Sequence, residues 1–337
     1  MHYLADKDVT LVSSTDPFMW DLVTSLAAER HMDIKLIVKS KHDREGSTVF
    51  DSLLEEYALD PKRTAPVFLG ETPGPSPKKL WVSRDRFAVH AADIIYPVSI
   101  NPDGKLERLM AEPGIEHKIN NNFRIPWRRE QEIQRIPAYD FSGGAVNPFP
   151  EGKWLVHWTR TSQGKWPGEN ARKYIRDLCK IPDIYVRNAK ETVLHIVSER
   201  VIRCSSWNIP DGACAVSFTS LSAEEAVQLM RWRKRYVRYS FEPYGIAVKQ
   251  DVLSALGAHE IHYEKPCPEY SGERLYVQSP GEKGEWTKEC EWRLRGCLKL
   301  NEIDPSDYFV IVYNESEMVE LNRRMTVDGV YIHALKR

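Results

Sequence analysis

Over the first 110 residues, short apolar runs alternate with stretches of helical spacing, and that alternation restricts the fold more than any other feature of the chain. Residues 9–13, 34–38 and 65–69 read as buried strands, 79–82 as a further short strand, and 93–100 as a strand that Pro97 bends or confines to an edge. Helical spacing runs over 17–30 behind a Thr15-Asp16 cap, over 47–59, and weakly over 84–92. Strands separated by helices pair in parallel, because the crossover helix returns the chain to the same end of the sheet. A Rossmann-like α/β domain with a parallel sheet is therefore expected over 1–110.

The periodicity fades over 111–153, where Asn120 to Asn122, Pro126, Pro137, Ser142-Gly143-Gly144 and Pro148-Phe149-Pro150 mark turns and an extended linker. A second domain is expected over 154–337. Its strand-like pieces are 154–159, 213–219, 245–248, 260–263, 291–300 and 308–313. Its helical pieces are 168–180, 192–199, 223–235, 249–256 and 316–324. Most of these strands do not alternate with helices, so a mixed α+β layer is expected.

At 337 residues, two domains are the better expectation, and 42% hydrophobic residues suffice for a substantial core. A formal net charge of −1 leaves no global field to gather nucleic acid or anionic lipid. No apolar run approaches the roughly 18 residues of a membrane span, and no signal pattern opens the chain, so a cytoplasmic protein without a membrane partner is expected. Cysteines stand at 179, 204, 214, 267, 290 and 297 without a CxxC pair. They read as reduced packing residues, and no metal is expected.

Two segments keep polar groups where a strand should be apolar. In 154–160 (WLVHWTR), His157 and Thr159 are two apart and share a strand face. In 288–293 (KECEWR), Glu289 and Glu291 do the same. Taken alone, His157 reads as a core histidine bonded to backbone, and the carboxylates as partners of Lys288, Arg293 or Arg295.

Several segments of the second domain resemble, in order, the ADP-ribosyltransferase superfamily, in its DarT-like and abortive-infection branch. They are 156–159 (VHWT), 192–202 (TVLHIVSERVI), 214–219 (CAVSFT), 244–249 (YGIAVK) and 291–293 (EWR), covering about 150 to 315. The resemblance implies an ADP-ribosyltransferase-like fold and an enzyme that consumes NAD as co-substrate, in a toxin or phage-defence role. It implies Glu291 as the carboxylate facing the ribose and Glu289 as the group orienting the acceptor. NAD binding falls to His157, Thr159, Arg203, Tyr244 and Ser217, with Thr219 a weaker candidate. Loss of nicotinamide leaves an oxocarbenium-like centre, whose positive charge a fixed carboxylate stabilises. NAD hydrolysis by water, and a non-catalytic nucleotide-sensing or partner-binding module, stand as alternatives.

The stretch 231–239 (RWRKRYVRY) interleaves cations with aromatics, and Arg231, Arg233, Lys234 and Arg235 are candidate contacts to DNA or RNA. A basic helix end is the competing reading. Arg124, Arg128 and Arg129 form a second such run. In the first domain, Ser13 to Asp16 is a turn able to hold phosphate at a helix N-terminus, or a plain cap. Arg84, Asp85, His90 and Asp93 read as a solvated helix face or a nucleotide or partner site.

Overall fold

The computed structural model describes residues 1–16, 18–39, 43–69, 77–127, 139–180, 185–206, 209, 212–233, 238–264, 274–281, 286–324 and 329–336. Within it the chain divides into two compact units, one of residues 1–136 and 169–182, the other of 137–168 and 183–337.

In the first unit the apolar runs pair as a three-stranded parallel sheet, β1 (Thr10–Ser13), β2 (Asp33–Lys39) and β3 (Thr64–Leu69), in that order. A short helix α1 (His2–Ala5) precedes it, α2 (Phe18–Glu29) and α3 (Asp43–Tyr57) are the crossovers, and α4 (Pro77–Ala91) and α5 (Lys105–Met110) follow. Leu36 and Val38 are fully buried with Ala27 and Tyr57 against them, as a strand covered by helices requires.

Two expected strands of this unit do not form. Residues 79–82 lie inside α4, since four residues of mixed character do not distinguish a strand from a helical turn. Residues 93–100 contribute one bridge, Ile95↔Ile119. Pro97 has no N–H for a ladder, so the pairing stops there.

The helix expected over 168–180 forms as α6 (Ala171–Lys180), but it belongs to the first unit. Its buried residues Ala171 and Ile175 join the core around Leu36, and the Ala171 N–H donates to Glu56 Oε1 at 2.9 Å. The turn at 13–16 is tied inward. Ser13 and Thr24 share a hydroxyl hydrogen bond at 2.7 Å, and Ser14 Oγ donates to the Ile37 carbonyl at 3.1 Å. Arg84 is buried rather than solvated, bonded to the Thr15 and Asp16 carbonyls and to Asp85. His90 faces Glu112 at 3.1 Å.

The second unit is built on a seven-stranded mixed sheet. Its strands in chain order are β4 (Trp154–Trp158), β6 (Ala215–Thr219), β9 (Gly245–Lys249), β10 (His259–Glu260), β13 (Glu291–Arg295), β15 (Tyr308–Asn314) and β16 (Tyr331–Lys336). Across the sheet they run β10-β13-β6-β4-β9-β15-β16, antiparallel except for β15 with β16. Three two-stranded pairs accompany it: β5 (Val201–Ile202) with β14 (Leu298–Lys299), β7 (Trp232–Arg233) with β8 (Arg238–Tyr239), and β11 (His262–Tyr263) with β12 (Val277–Gln278). The helices are α7 (Ala189–Glu199), α8 (Ala223–Leu229), α9 (Gln250–Ala255) and α10 (Glu315–Arg324).

One face of the sheet buries Leu155, Ile246, Val248 and Val310 against Val193 and Ile196 of α7 and Leu321 of α10. The other buries Trp154, Val156, Ala247, Phe309 and Ile311, with Phe141 and Phe149 packed on it.

Three elements differ from the sequence reading. The strand over 291–300 breaks at Gly296, whose φ of +77° suits glycine, and gives β13 and β14. The strand over 260–263 divides around buried Ile261 into β10 and β11, which join different sheets. The helix over 223–235 starts at a capping box, Ser222 with Glu225, but stops at Leu229, because Trp232 and Arg233 pair with Tyr239 and Arg238. The described parts of the basic stretch, 232–233 and 238–239, therefore pair as strands and do not form a helix end. No described helix is long and apolar enough to cross a membrane.

Leu155 is fully buried at the sheet centre. Leu155→Ala should cost about 2–5 kcal/mol, read as a lower urea midpoint with unchanged slope.

Candidate active site

β4 pairs with β9 over five residues, from Trp154↔Lys249 to Trp158↔Gly245, but meets β6 at one rung only, Val156↔Thr219. Gly245 permits the close approach to β9, since a Cβ there would fall 2.8 Å from the His157 carbonyl oxygen. Past the Val156↔Thr219 rung, β4 and β6 part. Residues 156–163 and 215–219 line a cavity of about 1150 Å³ in that opening.

Register fixes which side chains look into the cavity from where. Thr219 is opposite both Val156 and Glu291, so Glu291, Arg293, Ser217 and Thr219 share one sheet face. His157 is one residue out of step, on the other face, edge-on to Phe218 with ring centroids 5.9 Å apart. His157 and Glu291 thus line the same cavity from opposite faces of the sheet.

Ser217 joins them. Its main-chain oxygen is 2.9 Å from His157 Nδ1, and its hydroxyl donates to Glu291 Oε1 at 2.7 Å. A carbonyl only accepts, so Nδ1 carries the proton and Nε2 is left as the acceptor. Burial, aided by the charge of Arg160, holds the His157 pKa below its ordinary value, so the ring is neutral.

Glu291 is gripped by a two-pronged guanidinium. Arg293 donates from Nε to Oε1 at 2.8 Å and from Nη2 to Oε2 at 3.0 Å. Arg293 is buried, and two further hydrogens reach the Leu275 carbonyl, from Nη1, and Gln278 Oε1, from Nη2, each at 2.9 Å. A buried cation needs acceptors of this kind.

Glu289 does not share a strand face with Glu291. It ends a 3-10 turn, Trp286–Glu289, and Cys290 takes a left-handed φ of +43° before β13 begins. The alternation is broken there, yet both carboxyl groups line the cavity. Burial and then the neighbouring charge of Glu291 push the Glu289 pKa up to about 7, while Arg233 and Arg160 pull against them. The Arg160 guanidinium is brought down to about 10, by burial first and then by Arg238.

The other candidates divide. Thr159 borders the cavity, but its hydroxyl lies 3.0 Å from each of the Ala189 and Tyr244 carbonyls and pins β4 to the start of α7. Arg203 lines the cavity and pairs with Glu199 at 3.0 Å. Tyr244 is not on the cavity. It is buried in the core edge-on to Tyr139, with its hydroxyl on Glu317 at 3.1 Å.

Arg233 and Arg238 of the β7–β8 ribbon line the cavity beside Trp232 and Tyr239, whose rings are 5.4 Å apart. Arg231, next to the ribbon, is exposed. Lys234, Arg235, Arg128 and Arg129 lie outside the described residues. Arg124 belongs to the first unit, 3.4 Å from Asn121 Oδ1.

Sequence reasoning missed an aromatic stack on the same cavity. Trp166 lies flat against His195 at 4.0 Å, with the Arg187 guanidinium also 4.0 Å from its ring centre. His195 is in turn 3.4 Å from Glu199, one helical turn on in α7, and that i,i+4 spacing was the available signal.

Four of the described cysteines depart from the reading as reduced packing residues. Cys204 and Cys214 form a disulfide, whereas Cys179 and Cys297 are free and exposed. Cys290 is free and half-buried, and Cys267 lies outside the described residues.

No protein-family model, curated protein or solved structure matches this chain.

The Glu289 pKa predicts a pH dependence. Unfolded, this carboxyl ionises near 4.5; folded, it holds its proton up to about 7. Its contribution is therefore most favourable below the unfolded value and is lost as pH rises through the folded one. Glu289→Gln should raise the thermal midpoint at pH 8, and the gain should vanish toward pH 4.5. An equal gain at both pH values would contradict the placement.

Proposed function

We propose that the second unit binds and consumes NAD as an ADP-ribosyltransferase-like enzyme. One observation carries the reading: a neutral strand histidine and a strand glutamate, brought together through Ser217, border a cavity with room for a dinucleotide. Arg160, Arg203, Arg233 and Arg238 on its walls suit phosphate oxygens.

In this reading the bond from the ribose anomeric carbon to nicotinamide breaks, and the electron pair leaves with the base. Glu291, on the side where positive charge grows, stabilises the oxocarbenium-like centre. An acceptor nucleophile gives its lone pair to the same carbon, and Glu289, when ionised, takes the acceptor's proton. A group titrating near 7 suits that exchange. The β7–β8 ribbon adds two cations and two aromatic rings at the cavity, which fits a DNA or RNA acceptor. The resemblance of the segments to abortive-infection proteins extends the proposal to a toxin or phage-defence role.

A second reading has its own observation. Arg293 offsets much of the Glu291 charge, as in a structural ion pair, and that favours a nucleotide-binding module without turnover. Incubation with NAD labelled in its adenylate half, with and without nucleic acid, separates the readings. Label on DNA or RNA supports transfer. Free labelled ADP-ribose supports hydrolysis by water. Unchanged NAD bound at the cavity supports the module. Under the enzyme reading, Glu291→Gln keeps an oxygen for Ser217 and lowers kcat by about 10²–10³-fold. Undiminished turnover would remove Glu291 from its role.

A further inference from the structure

Cys204, Cys214 and Cys297 come from three separate segments, yet their sulfurs lie together beside the cavity. The Cys204–Cys214 disulfide spans 10 residues of sequence, with Cα atoms 5.4 Å apart. Cys297 is a free thiol, and its Sγ lies 3.3 Å from Cys204 Sγ.

Main-chain bonds hold all three in place. Leu298 pairs with Ile202, the Gly296 N–H donates to the Cys214 carbonyl at 2.9 Å, and Ser205 and Ala215 exchange two backbone hydrogen bonds. The Cys204 N–H donates to Cys297 Sγ at 3.2 Å, fixing the free sulfur against the bonded one. A packing cysteine would not need an exposed sulfur placed against a disulfide. On both sides of Cys204, Arg203 and Ser205 line the cavity, as does Ala215 beside Cys214.

We propose that these three cysteines form a thiol–disulfide exchange site, in which the bond migrates from Cys214 to Cys297 on a shared Cys204. The Cys297 thiol gives its proton to water, and the thiolate lone pair makes a new bond to Cys204 Sγ. The Cys204–Cys214 bond breaks, its electron pair leaves on Cys214 Sγ, and Cys214 takes up a proton. One disulfide and one thiol stand on each side, so no oxidant or reductant enters. The exchange replaces a cross-link over 10 residues with one over 93, which restricts the unfolded chain more. It also moves the anchor of the cavity rim from the start of β6 to the turn between β13 and β14. The chemistry is independent of the NAD reading, and its test measures thiols alone.

The full chain, purified without reductant, is held at pH 6 and at pH 8.5, quenched in acid with N-ethylmaleimide and mapped by peptide mass spectrometry. The wild type should yield both the 204–214 and the 204–297 linked peptides. The approach to that mixture should be faster at pH 8.5 than at pH 6, because the thiolate is the attacking form. Cys214→Ser should carry the 204–297 bond, and Cys297→Ser only the 204–214 bond. The Cys297→Ser change is at an exposed position, so it should leave the circular dichroism spectrum unaltered. Cys297 fully alkylated at both pH values in the wild type, with no 204–297 peptide, would overturn the proposal even if Cys214→Ser failed to fold. So would a stoichiometric metal ion held by three reduced sulfurs.

Discussion

A single rung, Val156↔Thr219, joins three strands on one side of the large sheet to four on the other. Everything at the site follows from that economy of pairing. Were β4 and β6 paired along their length, Trp158 would sit opposite Ser217 and the strands would close on each other. Because they part, His157 and Glu291 can reach a common space although the pleat sends them to opposite faces. Ser217 is the residue whose main chain and side chain face the two of them, so its position on β6 sets their separation.

Charge is handled around this opening by enclosure and pairing. Arg293 is buried and finds its acceptors in Glu291, Gln278 and the Leu275 carbonyl, so removing any one would strand part of a desolvated cation. Glu289 has less compensation, and its carboxyl titrates near 7 as a result. Two acids two residues apart in the chain are therefore held differently, Glu291 by a guanidinium fork and Glu289 by the balance of burial against Arg233 and Arg160.

The sequence made parts of this legible. The run 308–313 was clear because a strand covered on both faces is continuously apolar, and 34–38 was clear although exposed Lys35 interrupts it. That His157 and Glu291 share a cleft was implied by the resemblance of their segments, which also put them on one side of the sheet; the structure places them on opposite faces. That depends on register across β6, and register is a tertiary property. The reading of Glu289 failed on one residue, Cys290, whose left-handed backbone interrupts an alternation that composition alone suggests. Thr159 and Tyr244 fit a binding motif by type, yet their polar atoms serve the junction of β4 with α7 and the half-buried Glu317 carboxyl. The clustered sulfurs were illegible, and the Trp166 stack showed only in the His195–Glu199 spacing, since each gathers residues from distant segments.

That gathering has a kinetic consequence. The hydrogen bonds that define the site close long loops, 60 residues between His157 and Ser217 and 74 between Ser217 and Glu291. Contacts of such sequence separation carry a large closure entropy and form slowly compared with local helices. A newly synthesised chain would acquire its helices and hairpins first and its cleft only when β13 docks onto β6. Any chemistry the cleft supports therefore requires the whole sheet, and loosening β13 alone would dismantle it.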